Sequence, residues 1–166
     1  MLNKETGYEF PSAGAASLPP SQRLHLILLG VTDIARSQQF YEALGWQKSP
    51  TGHDEFVKFD LGGYALCLLS RDALATDSLA TTAKTPEFNG VCFVHLVKTP
   101  EEVLAVIARA VAAGGTLVKP ATRTLWGIAG YFKDPDGYLF EVDYEEVFVF
   151  DDQHHLVVDT LNERSC

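Results

Sequence analysis

Apolar and polar positions along this chain fall into short blocks whose period changes repeatedly. Arg23-Leu24-His25-Leu26-Ile27-Leu28-Leu29-Gly30-Val31 is an apolar run of strand length. Thr32-Asp33 then supplies a cap, and Ile34, Ser37, Phe40, Tyr41 and Leu44 follow at helical spacing until Gly45. Trp46-Gln47-Lys48 reads as a short strand. Phe56–Phe59 and Tyr64–Leu69 flank the turn Asp60-Leu61-Gly62-Gly63 and predict a hairpin. Residues 70–89 read as a connecting segment with at most one irregular turn.

The plan then repeats. Gly90–Val97 is a second apolar strand, and Thr99-Pro100-Glu101-Glu102 is a helix start with a capping box and proline at the first helical position. Val103, Val106, Ile107, Ala110 and Val111 form one apolar stripe, closed by Gly114-Gly115. Strands are predicted at Thr116–Val118, around Tyr131-Phe132, and at Tyr138–Val142, the last two joined by Asp134-Pro135-Asp136-Gly137. Val147–Phe150 and Leu156–Val158 predict a closing hairpin around Asp151–His155. Both halves thus read strand, helix, three strands, with Asp60–Tyr64 aligned on Asp134–Tyr138. A helix covers only one face of each sheet, so two βαβββ modules side by side leave a shared trough. The predicted fold is α+β: a curved mixed sheet from two modules. The predicted organisation is an arm at 1–22, one domain at 23–146 (modules 23–70 and 90–146, linker 71–89) and a tail at 147–166.

Composition narrows the partners. With 13 Lys+Arg against 22 Asp+Glu, the net charge of −9 disfavours nucleic acid, which needs a basic face, and anionic lipid. No apolar run reaches the roughly 20 residues of a membrane span, and the N-terminus lacks a secretory pattern. Cys67, Cys92 and Cys166 are too few and too scattered for a disulfide framework, so a reduced cytoplasmic setting is expected. Gly-rich phosphate loops, Gly-x-Ser-x-Gly elbows and Cys-x-x-Cys pairs are not found.

Leu29–Ser37 with Phe40–Trp46, and above all Gly130-Tyr131-Phe132-Lys133-Asp134-Pro135-Asp136-Gly137-Tyr138-Leu139-Phe140-Glu141-Val142, resemble the vicinal-oxygen-chelate superfamily of glyoxalases, bleomycin-resistance proteins and extradiol dioxygenases. The resemblance spans about residues 23–146 and implies paired modules, with a homodimer expected. In metal-using members the ligands come from the first and last strands of each module. The matching positions here are Leu26, Cys67, Cys92 and Glu141. Leucine donates no electron pair, and one carboxylate holds a hard cation weakly. Cys67, Cys92 and Glu141 suit zinc chemically, but a fourth ligand is missing, and free cysteines commonly serve as small buried apolar residues. No cofactor is therefore expected, with a divalent metal as the alternative.

Strand alternation places Leu26, Leu28, Ala65, Cys67, Leu69, Cys92, Val94, Leu96, Leu139 and Glu141 on the trough side. A type I turn with a glycine bulge at Asp134–Gly137 sets Tyr131 opposite Glu141. Trp126 is either a stacking wall or a core plug. His25 and His95 lie one position out of the ligand register, and His53, His154 and His155 fall in loops. The leading expectation is metal-independent binding of a small organic ligand, neutral or cationic, by Leu26, Leu28, Cys67, Cys92, Val94, Trp126, Tyr131 and Glu141. Two alternatives stand beside it. One is a lyase, isomerase or dioxygenase-like enzyme, using Glu141 with a metal or as a general base assisted by Tyr131; the other is a non-catalytic dimerisation module.

Overall fold

A computed structural model describes residues 24–84 and 87–158. The arm predicted at 1–22, Cys166 and the end of the predicted tail lie outside them. The elements run β1 (Leu26–Val31), α1 (Ile34–Ala43), β2 (Phe56–Asp60), β3 (Ala65–Ser70), α2 (Arg71–Asp77), β4 (Phe93–Leu96), α3 (Pro100–Ala112), β5 (Thr116–Arg123), β6 (Gly127–Lys133) and β7 (Leu139–Glu145). They form two mixed sheets, in the orders β1-β3-β2 and β4-β7-β6-β5. The α+β class and the repeated strand-helix-strands plan are therefore present.

Local chemistry accounts for the helices. The Asp33 side chain accepts from the Arg36 amide at the start of α1. Thr99 and Glu102 complete a reciprocal capping box at α3, with Pro100 placed where its missing N–H costs nothing. The segment read as a connector instead contains α2, capped by Ser70 and opened by Asp72. It buries no residue, which is why no apolar stripe announces it. Trp46–Lys48 does not form a strand: a single bridge joins Lys48 to Phe59. β5 runs well past Val118 and through Pro120. This is tolerated because β5 is an edge strand, where a proline needs no ladder partner on its outer side.

One core unites the two sheets. It contains Leu29, Val31, Val57, Phe59, Leu66 and Leu68 from the first, Phe132, Phe140 and Val142 from the second, and Phe40, Tyr41, Val103 and Ile107 from the helices. Phe132 and Phe140 stack across β6 and β7 at 5.2 Å, and Phe40 and Tyr41 of α1 pack on them. Both sheets thus turn one face toward α1 and α3; their other faces are open only in part, exposing Leu26, Leu28 and Val94 but burying Cys67, Ala129 and Asp143.

A buried polar clasp fixes how the modules meet. The Asp134–Gly137 turn closes with Gly137 at φ +91°, and Asp134 Oδ1 accepts from the Asp136 and Tyr138 amides. Asp134 Oδ2 accepts from the Tyr41 hydroxyl at 2.7 Å. Asp136 receives the Thr32 amide (2.8 Å), the Thr32 hydroxyl (2.9 Å), the Ser37 hydroxyl (2.5 Å) and the Arg36 guanidinium (3.0 Å). Tyr138 and Arg71 both donate to the Gly30 carbonyl. Burial works to raise the Asp136 carboxyl, but the donors from Ser37 and Thr32 and the charge of Arg36 outweigh it and hold the group below the usual carboxylate range.

The matching turn of the first module lacks this clasp, because Gly62 stands where the second has Asp136. The tail fills that corner instead. Phe150 bridges Leu156, His154 stacks on Phe150, and a side chain at Gly62 would begin only 2.4 Å from His155 Nε2.

Candidate functional site

The open faces follow from strand register. In the first sheet Leu28 pairs with Cys67, and Cys67 with Lys58, while Leu26 pairs with Ala65. In the second, Glu141 sits between Val94 of β4 and Tyr131 of β6. The predicted facing of Tyr131 and Glu141 is present, and the Tyr131 hydroxyl donates to Glu141 Oε1 at 2.5 Å. That hydrogen bond, with lesser help from burial, pushes the Tyr131 phenol up to about 12, so it remains a donor at any physiological pH.

The structure sorts the expected residues into two groups. Leu26, Leu28 and Cys67 lie together on the first sheet; Cys92, Val94, Tyr131 and Glu141 lie together beside β4. No ladder joins β1 to β4. A cavity of about 960 Å³ separates their edges, lined by Ile27, Val94, His95 and Leu96 together with Tyr64 and the tail residues His154 and His155. Burial pushes the His95 imidazole below its usual range, and nearby His154 adds to this. Leu26 and Val94 are each about half exposed, at 50% and 53%, as are Leu117 and Val118 of β5. Trp126 is also exposed, in the turn before β6. Because Gly127 pairs with Glu145 while Tyr131 pairs with Glu141, Trp126 stands roughly 15 Å along the strand from Tyr131. It is not a core plug.

The donor set does not fit a metal. Leu26 offers no lone pair. Burial raises both thiols above their ordinary value, Cys92 further through the charge of Glu141, and a metal ligand must be thiolate. Among the described residues, no three His, Cys, Asp or Glu side chains are grouped so that they could hold an ion. Cys67 is fully buried between Leu28 and Lys58, in keeping with a small apolar role.

Asp143 was not anticipated. It follows Glu141 on the same face of β7, is 8% exposed, and its Oδ1 accepts no hydrogen bond. Burial, reinforced by the charges of Glu145 and Glu141, pushes its carboxyl up to about 6. The signal was available in the alternation Glu141-Val142-Asp143-Tyr144-Glu145, which puts three acids on one face of a strand. Among the described residues, no helix is long and apolar enough to cross a membrane.

Comparisons with known proteins agree with this geometry. A solved structure described as a glyoxalase-related enzyme from Fulvimarina pelagi superposes with a TM-score of 0.74 at 26% identity, covering 84% of this chain and 100% of that one. Hypothetical protein SA1046 from S. aureus gives 0.66 at 27% identity, covering 75% and 94%. A lactoylglutathione lyase from Agrobacterium tumefaciens shares the fold at 0.55 and 20% identity, covering 75% and 95%. No curated protein matches. The family profile described as Glyoxalase/Bleomycin resistance protein/Dioxygenase superfamily matches residues 23–142, and the chain belongs to that superfamily.

Proposed function

We propose that the chain binds a small organic molecule on the adjoining open faces of its two sheets and does so without a metal. The observation that carries this reading is the pairing of exposed Leu26, Leu28 and Val94 with the Tyr131–Glu141 hydrogen bond on the same side of the sheets. Apolar surface with a few fixed polar groups is the usual composition of a small-ligand site, and large apolar side chains left open on strands mark a binding surface. A second copy of the chain closing over these faces would complete the enclosure, and we read the assembly as a homodimer.

The test is a thermal-shift screen of small organic compounds on protein purified without a metal-binding tag, with and without a chelator, and with Glu141→Ala as control. The reading expects a ligand whose stabilisation survives the chelator and falls in the variant. Stoichiometric metal in elemental analysis, with stabilisation lost on chelation, would overturn it. The short Tyr131–Glu141 contact also supports an enzymatic reading, in which Glu141 removes a carbon-bound proton and Tyr131 hydrogen-bonds the oxygen that gains charge. Solvent deuterium entering a bound ligand in wild type but not in Glu141→Gln would select it.

A further inference from the structure

Alternation along β7 puts Glu141, Asp143 and Glu145 on one face, with Phe140 and Val142 turned into the core. Adjacent members are about 7 Å apart along the strand. Like charges so placed repel, and soluble proteins normally interleave them with lysine or arginine. Among the described residues, none of the three carboxylates has a salt bridge: the pairs present are Arg36 and Arg71 on Asp136, Lys48 on Asp54, and His155 on Asp151. Lys119 reaches the same face, but its ammonium lies over the Tyr131 ring, 5.6 Å from the centroid, rather than on a carboxylate. Glu141 uses Oε1 on Tyr131, and no described residue donates to its Oε2.

A second observation is independent of this charge count. Asp143 is more than nine-tenths buried, yet its Oδ1 has no donor. A buried acceptor left unsatisfied is costly, and folded chains rarely keep one without a use. Register puts the side chain on the face that carries Tyr131 and Ala129, one position beyond Glu141 on that face. Leu26, Leu28 and Val94 offer an apolar bed alongside.

We propose that the β7 face is a subsite for a cationic nitrogen, and that the ligand of this protein is an amphipathic organic cation whose ammonium or amidinium rests between Glu141 and Asp143 while its apolar body lies toward Val94 and β1. This deepens the proposed function and rests on it. Glu145 extends the attraction toward the turn that holds Trp126. The carboxylates act through charge and hydrogen bonding only, and no covalent step is involved.

The experiment compares three probes of similar shape by NMR titration of the full chain: benzylamine (cationic), benzyl alcohol (neutral) and phenylacetate (anionic). The proposal expects benzylamine to bind at least about tenfold more tightly than benzyl alcohol, phenylacetate not to bind, and added salt to weaken the amine alone. Glu141→Gln and Asp143→Asn, each checked for native circular dichroism, should each weaken benzylamine about threefold or more and weaken benzyl alcohol by a clearly smaller factor. Glu145→Gln, on the half-buried end of the column, should have the same effect to a smaller degree. Equal affinity for amine and alcohol on this face would overturn the cation subsite while leaving small-molecule binding standing. Amine binding that ignores all three substitutions would overturn it as well. Absence of binding by every probe and every screened compound would remove both readings.

Discussion

Asp136→Ala should be among the most damaging single substitutions in this chain, although the residue lies in a surface turn. Its side chain is fully buried and gathers the Thr32 amide, the Thr32 and Ser37 hydroxyls and the Arg36 guanidinium at 2.5–3.0 Å, with Arg71 at 3.6 Å. Truncation leaves those donors behind, and the buried Ser37 hydroxyl has little water to turn to. Breaking a buried, hydrogen-bonded charge costs about 3–5 kcal/mol. For a domain of this size each kcal/mol moves Tm by about 2–4 °C, so a drop of roughly 10–15 °C is expected. Asp136→Asn retains part of the hydrogen bonding and should fall between the variant and wild type. The carboxyl is depressed in the folded state, so its contribution is complete above the ordinary value of 3.8 and disappears as pH falls through the lower, folded value. The gap between wild type and Asp136→Ala should therefore be full at pH 7 and shrink in strong acid. Urea melts from strongly acid solution up to neutral pH provide the assay. A loss below about 1 kcal/mol at pH 7 would refute the idea that this turn holds the modules together.

Asp143 has the opposite linkage. Its folded value of about 6 exceeds the ordinary 3.8, so the folded state holds a proton that the unfolded chain has released, and stability falls as pH rises through that interval. Asp143→Asn should accordingly stabilise the protein at pH 7.5 by about 1–3 kcal/mol and by little at pH 4, read from the same melts. Gly62→Ala places a methyl group against His155 at a φ of +77°, where side chains are also strained. It should cost about 1–2 kcal/mol and raise amide hydrogen exchange over 150–157 while leaving α3 protected. Glu141→Gln should return the Tyr131 phenol toward 10 from about 12, measured by ¹³C NMR of the tyrosine ring, because the hydrogen bond to a charged acceptor is its main cause.

Much of this architecture could be read from residue spacing. The capping box at Thr99–Glu102 and the turn at Asp134–Gly137 are local signals whose geometry is set within a few residues, and the second also fixed Tyr131 opposite Glu141. Alternation likewise separated Leu29, Leu66 and Val142, which enter the core, from Leu28 and Glu141, which do not; Cys67 lies on the face of Leu28 yet is fully buried. What escaped depends on contacts distant in sequence. Asp134 and Asp136 read as turn formers, but Asp136 bonds Ser37 from 99 positions away. The α2 helix escaped because it buries no stripe. Trp46–Lys48 has a strand-like composition but pairs at only one bridge, because the Trp46 indole packs against Tyr41 and Phe59. Asp143 escaped because its burial and missing donor arise from the neighbouring strands rather than from its own segment.

The central claim, a small-molecule site across two adjoining sheet faces, is tested most directly by ¹H–¹⁵N NMR of the tag-free protein titrated with the best compound of a screen, with chelator present throughout. The account predicts shifts confined to amides around Leu26, Leu28, Val94, Tyr131, Glu141 and Asp143, saturating together with one affinity. Shifts centred instead on Tyr64, His154 and His155, with Tyr131, Glu141 and Asp143 unmoved, or a response that vanishes on chelation, would contradict it.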